Sequence, residues 1–90
     1  ELHTGDYANA ITEKLKIFEL QKLQSAAQFA HTLNLKVNAG HGLNYTNISP
    51  FLTIREIEEV SIGHAIISRA AFVGLFEAVK EMAAIIHQSR

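Results

Sequence analysis

Strand-like and helix-like stretches alternate along this chain, and the alternation is what most restricts the folds open to it. Short runs with β-branched or alternating apolar residues predict strands, and apolar residues at three- and four-residue steps predict helices. The predicted strands are residues 1–4, 35–38 and 59–62, and the predicted helices are residues 13–33, 49–54, 65–71 and 75–87. This order is typical of an α/β fold with a parallel sheet.

The two long predicted helices each have an apolar stripe that is expected to cover the sheet. The first stripe contains Leu20, Leu23, Ala27, Ala30 and Leu33, and the second contains Phe76, Val79, Met82, Ala83 and Ile86. After the first helix, Asn34 is a candidate for a stop in the left-handed region. Gly74 is expected to break the chain before the last helix.

Composition excludes several classes of protein. The chain has 90 residues, a net charge of −1, a hydrophobic fraction of 48% and no cysteine. There is no basic excess to hold a nucleic acid and no apolar run long enough to cross a membrane. No signal peptide or disulfide framework is visible. We therefore expect a globular protein of the cytoplasm that binds neither nucleic acid nor membrane.

The residues around His41 are the first candidate for chemistry. Gly40 and Gly42 bracket this histidine directly after the predicted strand 35–38. Two close glycines let the backbone take positive φ and come near a ligand, and an imidazole between them is a candidate for proton transfer. The simpler alternative is a glycine-rich turn that carries an exposed histidine.

A similar arrangement follows the next predicted strand, where Gly63 and His64 lead into a helix. Free N–H groups at a helix N-terminus attract anions. If the strands before these two loops are the last two of a (β/α)8 barrel, Gly42, Gly63 and the backbone of His64 are expected to hold a phosphate. The alternative is that Gly63 only permits a tight turn.

Polar residues also end the first predicted strand. His3 and Thr4 are expected at its C-terminal end, which in a parallel barrel is the end that carries the active site. The alternative is that they only satisfy the turn. His3, His41 and His64 could converge on a metal, but they lack the spacing and the nearby carboxylates of a zinc site, so no metal is expected.

Four strings in this chain together resemble one family. They are NAGHGLNY at residues 38–45, ELHTG followed by YA near the start, SIGHAII at residues 61–67, and RA followed by GL at residues 69–75. In this order and spacing they resemble the pyridoxine 5′-phosphate synthase (PdxJ) family, over essentially all 90 residues.

The resemblance implies a fold. The family folds as a (β/α)8 TIM barrel of roughly 250 residues. By resemblance, residues 1–90 are the C-terminal part of that single domain: three βα units with a short extra helix after the last strand. A chain that begins at Glu1, without methionine and inside a strand, is expected of such a piece. Leu2, Val37 and Val60 are then expected to point into the barrel.

The resemblance also implies an activity. The family is a transferase of vitamin B6 biosynthesis that condenses 1-deoxy-D-xylulose 5-phosphate with 3-amino-2-oxopropyl phosphate, without a metal or cofactor. Its proton-donor histidine matches His41, and its phosphate-binding residues match Gly42, Gly63 and His64. Glu1, His3 and Thr4 would line the substrate mouth.

Other expectations follow from the resemblance. The family's remaining acid/base histidine and glutamate lie in an earlier part that this chain lacks, so the isolated chain is expected to be inactive. The family forms cytoplasmic homo-oligomers, specifically octamers. Two alternatives stay open: a non-catalytic phosphate-binding or assembly module, and a fragment of another phosphate-handling TIM-barrel enzyme.

Overall fold

The computed structural model describes all 90 residues, and strands alternate with helices along the chain as predicted. The elements are β1 (Leu2–His3), α1 (Gly5–Ala8), α2 (Glu13–Thr32), β2 (Val37–Gly40), α3 (Ile48–Phe51), β3 (Ile57–Ser61), α4 (His64–Val73) and α5 (Leu75–Ser89). No helix is both long enough and apolar enough to cross a membrane.

The three strands form one parallel sheet in the order β1-β2-β3. His3 pairs with Gly40, and Gly40 pairs with Ser61. The last residues of all three strands therefore lie side by side at one edge of the sheet. This confirms the predicted α/β class and parallel sheet, and it brings the chain segments after the three strands together.

The two faces of the sheet differ in polarity because side chains alternate along a strand. Val37, Ala39 and Ile57 are buried in a core completed by residues from the helices. These include Ala27, Ile48, Phe51 and Met82. Asn38 and Gly40 belong to the opposite face, and the Oδ1 atom of Asn38 is buried there without a hydrogen-bond partner.

The expected direction of three strand residues is wrong. Val37 belongs to the core that the helices cover, and Leu2 and Val60 pack against the same core. The alternation of the strands thus directs these apolar side chains toward the helices. The face away from the helices carries the polar residues.

Helix α2 begins and ends close to the predicted limits. The hydroxyl of Thr12 accepts a hydrogen bond from the N–H of Leu15 at 3.1 Å, which caps the first turn. Asn34 has a φ of 61°, so the predicted left-handed stop is confirmed. Of the predicted stripe, Ala27 is buried and Leu20, Leu23 and Ala30 pack against the core. Leu33 is exposed, because the helix has ended before it.

The predicted stripe of α5 is only partly correct. Met82 is buried and Ile86 packs against the core, but Phe76 is 78% exposed and Val79 is 47% exposed. The buried residues of this helix are Ala78 and Met82, with Ile85 packed beside them. The face toward the core is therefore rotated relative to the predicted stripe.

Several elements near the sheet edge differ from the predictions, including β3, which begins at Ile57 and ends at Ser61, and α4, which begins at His64 and ends at Val73. Strand β2 is shifted by two residues and includes Gly40, because the ladder partners His3 and Ser61 extend the pairing that far. The short helix α3 begins at Ile48 instead of residue 49 and ends earlier. Helix α1, at Gly5–Ala8, was not among the predicted helices. Gly74, with a φ of 88°, separates α4 from α5 as predicted.

Candidate active site at the C-terminal edge of the sheet

A cleft of about 540 Å³ opens where β2 and β3 end. One wall is residues 41–44 and the other is residues 61–65. Both candidate loops from the sequence, around His41 and around Gly63, therefore line the same cleft. Its size lies within the range of small-molecule sites in proteins.

The backbone around His41 has an unusual conformation. His41 itself has a φ of 92° and Gly42 a φ of 79°, whereas Gly40 lies within β2. The prediction of positive φ is confirmed for Gly42 and wrong for Gly40. Gly40 instead avoids close contacts with its neighbours, because a β-carbon built there would lie 3.1 Å from Ser61 Cβ and 3.2 Å from Glu1 Oε2.

Asparagine side chains hold the loop that follows His41. The Oδ1 atom of Asn44 accepts hydrogen bonds from the N–H groups of Thr46 and Asn47, both at 2.9 Å. The amide of Asn47 donates to the Gly42 carbonyl at 3.1 Å, and its Oδ1 accepts from the Asn44 N–H at 2.8 Å. These local bonds replace regular secondary structure and fix the wall of the cleft.

Two tyrosines attach this loop to the helices. Tyr7 of α1 donates its hydroxyl to the Asn47 carbonyl at 2.7 Å, and Tyr45 donates to the Ala78 carbonyl of α5 at 2.7 Å. Burial, and secondarily the carboxylate of Glu13, raise the pKa of the Tyr7 phenol. A tyrosine phenol is protonated at neutral pH even without this shift, so it can donate the hydrogen bond to the Asn47 carbonyl.

Gly63 precedes helix α4 on the other wall. No side chain caps this helix, and no acidic residue lies in its first turn. Gly63 has a negative φ, −121°, and a β-carbon built there would have no neighbouring atom within 4 Å. A residue with a side chain could therefore adopt this backbone conformation without a clash. The alternative that glycine is needed at position 63 only to permit a tight turn has no support in this geometry.

The first strand places its three candidate residues in different surroundings. Glu1 and His3 are exposed, and a β-carbon built on Gly40 would lie against the Glu1 carboxylate. Thr4 is fully buried, and its hydroxyl lies 2.8 Å from the Gly40 carbonyl oxygen. The expectation that Thr4 lines a substrate mouth is therefore wrong, because the side chain is occupied beneath the loop.

The structure also shows a contact that sequence analysis missed. The imidazole rings of His3 and His41 are stacked, with centroids 4.2 Å apart and planes inclined by 26°. The available signal was the order of the strands, since neighbouring parallel strands bring their last residues together. His64 lines the cleft with His41. No group of three potential metal ligands is close enough to hold an ion.

The described features define an α/β chain with a cleft at the carboxyl edge of a parallel sheet, lined by two histidines and two glycines among its nine residues. Residues 1–88 match the family model described as pyridoxal phosphate biosynthesis protein PdxJ, and the chain belongs to that family.

Relatives named pyridoxine 5′-phosphate synthase match the same residues. The relative from Legionella pneumophila is 54% identical over 90 residues, which is 100% of this chain and 36% of the relative. Those from Chlorobium phaeovibrioides and Chlorobium phaeobacteroides are 61% identical over 87 residues and 59% over 86 residues. They cover 97% and 96% of this chain, and 37% and 36% of the relatives.

The chain thus spans little more than a third of the length of these relatives, and the expected family resemblance is confirmed. The similarity also offers a full-length test protein. In it, this chain replaces the 90 matching residues of the Legionella pneumophila relative. We refer to this protein as the chimaera.

Gly42→Ala in the chimaera is expected to lower the free energy of unfolding by about 2–4 kcal/mol. A β-carbon at this position has an unfavourable positive φ and would lie 2.6 Å from Ala8 Cβ. Urea unfolding measures the effect. Gly63→Ala is the matched control and is expected to change stability little, since its β-carbon meets open space. Equal unfolding midpoints for the two variants would contradict the importance of the Gly42 conformation.

Proposed function

We propose that this chain supplies the phosphate-binding and proton-transferring part of a pyridoxine 5′-phosphate synthase. The observation that carries the proposal is the shared cleft, where the loop of His41 and Gly42 faces Gly63 and His64 across one space. The proposed reaction of the whole protein is a condensation of 1-deoxy-D-xylulose 5-phosphate with 3-amino-2-oxopropyl phosphate, and membership of the PdxJ family supports it. Both substrates carry a phosphate that needs such a site.

The proposed whole protein is a (β/α)8 barrel to which this chain contributes three consecutive βα units and the short extra helix α4. The parallel order β1-β2-β3 supports this arrangement. So do the two free sheet edges and the cover of helices on one face. In such barrels a phosphate site is frequently built from the last two βα loops and an extra helix.

The electrostatics of the cleft favour an anion. None of its nine lining residues is acidic. The first N–H groups of α4 have no carbonyl partner within the helix and lie at the positive end of its dipole. Gly63 offers them to a ligand without a side chain in the way. We therefore assign Gly63, the backbone of His64 and the opposing Gly42 to the phosphate.

His41 is the proposed proton-transferring residue. Its backbone carbonyl accepts a hydrogen bond from the Thr4 hydroxyl. Its two ring nitrogens make no hydrogen bond within the chain and are free for a substrate. Ring closure by carbonyl and amine chemistry requires several proton transfers, which a positioned imidazole performs. A phosphate held at Gly63 would place the rest of its molecule toward His41 across the cleft. Glu1 and His3 lie at the same edge of the sheet.

The remaining acid/base groups are proposed to come from the portion of the relatives that this chain does not span. We further propose that the complete protein acts in the cytoplasm as a homo-oligomer. The reaction as assigned uses side chains and backbone donors of the protein for binding and proton transfer.

Gly63→Val in the chimaera is expected to weaken binding of 3-amino-2-oxopropyl phosphate by about tenfold or more. The added side chain would occupy the space in front of the α4 N–H groups, and a hydrogen bond to a charged group is worth about 1.5–3 kcal/mol. Isothermal titration calorimetry measures the affinity. Because the built β-carbon has no neighbour, the unfolding midpoint is expected to stay unchanged. Unchanged affinity would overturn the phosphate assignment.

A further inference from the structure

We propose that His3 and Thr4 are positioning residues for His41. Thr4 holds the backbone of His41 and His3 holds its ring. This inference rests on the proposed role of His41 in proton transfer, and it assigns functions to two residues of the neighbouring strand that the sequence placed only at a substrate mouth.

The backbone of His41 needs support because a positive φ is unfavourable for a residue with a side chain. Such conformations cost about 1–3 kcal/mol and persist only where the surroundings enforce them. The Thr4 hydroxyl lies 2.8 Å from the Gly40 carbonyl and 2.5 Å from the His41 carbonyl. The Thr4 N–H donates to the Gly40 carbonyl at 2.9 Å. The buried hydroxyl shares its one proton between two successive carbonyls and fixes their directions.

The ring of His41 is supported by a second contact. The His3 ring lies 4.2 Å from it in a stacked arrangement. His3 is itself fixed, because its Nδ1 accepts a hydrogen bond from the Gly5 N–H at 3.3 Å. A β-carbon built on Gly5 would lie 2.7 Å from His3 Cε1 and 3.0 Å from His41 Cδ2. The bare α-carbon of Gly5 thus gives both rings the room to stack.

This arrangement orients an imidazole without using its nitrogens. Stacking acts on the face of the ring and the Thr4 hydrogen bond acts on the backbone, so both His41 nitrogens stay available to a substrate. Proton transfer requires the donor and acceptor atoms at hydrogen-bond distance. A displacement of about 1 Å can cost 10²-fold in rate. Positioning by His3 and Thr4 should therefore affect turnover more than substrate affinity.

Thr4→Val and Thr4→Ser in the chimaera separate the hydroxyl from the shape of the side chain. Valine keeps the shape and loses the hydroxyl, and we expect it to lower kcat by about tenfold or more with KM changed less than about twofold. Serine keeps the hydroxyl and should restore most of kcat. A Thr4→Val variant with normal kcat would overturn the role of Thr4. Equal losses in both variants would do so too, because they would follow from packing alone.

Three variants of His3 separate the stack from the hydrogen bond. His3→Phe keeps an aromatic ring, His3→Asn keeps an acceptor for the Gly5 N–H, and His3→Ala keeps neither. We expect kcat to survive best in His3→Phe and to fall in His3→Asn and His3→Ala, with KM nearly constant. Normal kcat in His3→Ala, or rescue by asparagine but not by phenylalanine, would overturn the role of the stacked ring.

A spectroscopic measurement tests the arrangement without the reaction. In the chimaera without substrate, labelled with ¹³C-histidine, the ring protons of His41 should show an upfield ring-current shift. His3→Ala should abolish this shift and His3→Phe should retain it. Failure of the proposed function would instead appear as normal kcat in His41→Asn. If His3→Ala left the His41 signals unchanged, the positioning proposal alone would be overturned.

Discussion

Replacement of His41 by asparagine in the chimaera is expected to lower kcat by about 10²-fold or more, the usual contribution of one acid/base group. Asparagine cannot exchange a proton near neutral pH, but it tolerates positive φ better than most residues. The backbone conformation at position 41, with its φ of 92°, should therefore survive the change. Steady-state kinetics with both phosphorylated substrates measure kcat and KM separately.

His31→Asn is the matched control for this experiment. His31 lies in the last turn of α2, which precedes β2, whereas His41 directly follows β2. The control therefore makes the same chemical change at the opposite end of the sheet, and it should leave kcat unaltered. If His41→Asn kept its kcat and only KM rose, His41 would be a binding residue and the proposed proton transfer would be wrong.

The sequence was sufficient to predict features that depend on local chemistry. The 3.6-residue periodicity predicted α2 closely, and the left-handed tendency of asparagine placed its end at Asn34. Gly74 was correctly predicted to break the last helical region. The two glycine loops were also recognised as candidates for one site, and they line one cleft.

Features that depend on pairing between strands could not be predicted in the same way. Gly40 was expected in a turn, but its partners His3 and Ser61 place it within β2. The same register brings Thr4 beneath the carbonyls of residues 40 and 41 and the His3 ring against His41. A single sequence contains no direct information on which residues of separate strands are opposite each other.

The orientation of α5 was missed for a related reason. This helix has apolar residues on more than one face, so the periodic pattern is compatible with several rotations of the helix about its axis. Contacts with the rest of the chain select Ala78 and Met82 for the core and leave Phe76 exposed. An apolar residue that is exposed in this chain can contact a further protein surface. The sequence alone does not distinguish such a residue from one that is buried in the core.

The exposed surface of the chain leads to the second large prediction, that the isolated chain self-associates and forms no product. Only 15 of 90 residues are buried, and the accessible surface is 6014 Å². A compact monomer of this mass is expected to expose only about 5,200 Å². Large apolar side chains contribute to the area exposed beyond that of a compact monomer, and Phe72, for example, is 86% exposed. The outer strands β1 and β3 each pair on one side only, and free strand edges promote association.

Addition of the portion of the relatives that this chain does not span should prevent the self-association and allow product to form. We expect the chain, refolded with the segment of the Legionella pneumophila relative that it does not match, to form a defined assembly. That assembly should unfold cooperatively and synthesise pyridoxine 5′-phosphate. Analytical ultracentrifugation and thermal unfolding report on assembly, and a product assay reports on activity.

A second mixture distinguishes folding from chemistry. The chain carrying His41→Asn should complement the missing portion as well as the unaltered chain does in sedimentation and unfolding, because the substitution preserves the sheet edge and the packing of the helices. It should nevertheless yield at least about 10²-fold less product per unit time. A monomeric isolated chain that unfolds cooperatively and makes product by itself would contradict the proposed division. The site at His41 and Gly63 would then need no groups from outside these 90 residues.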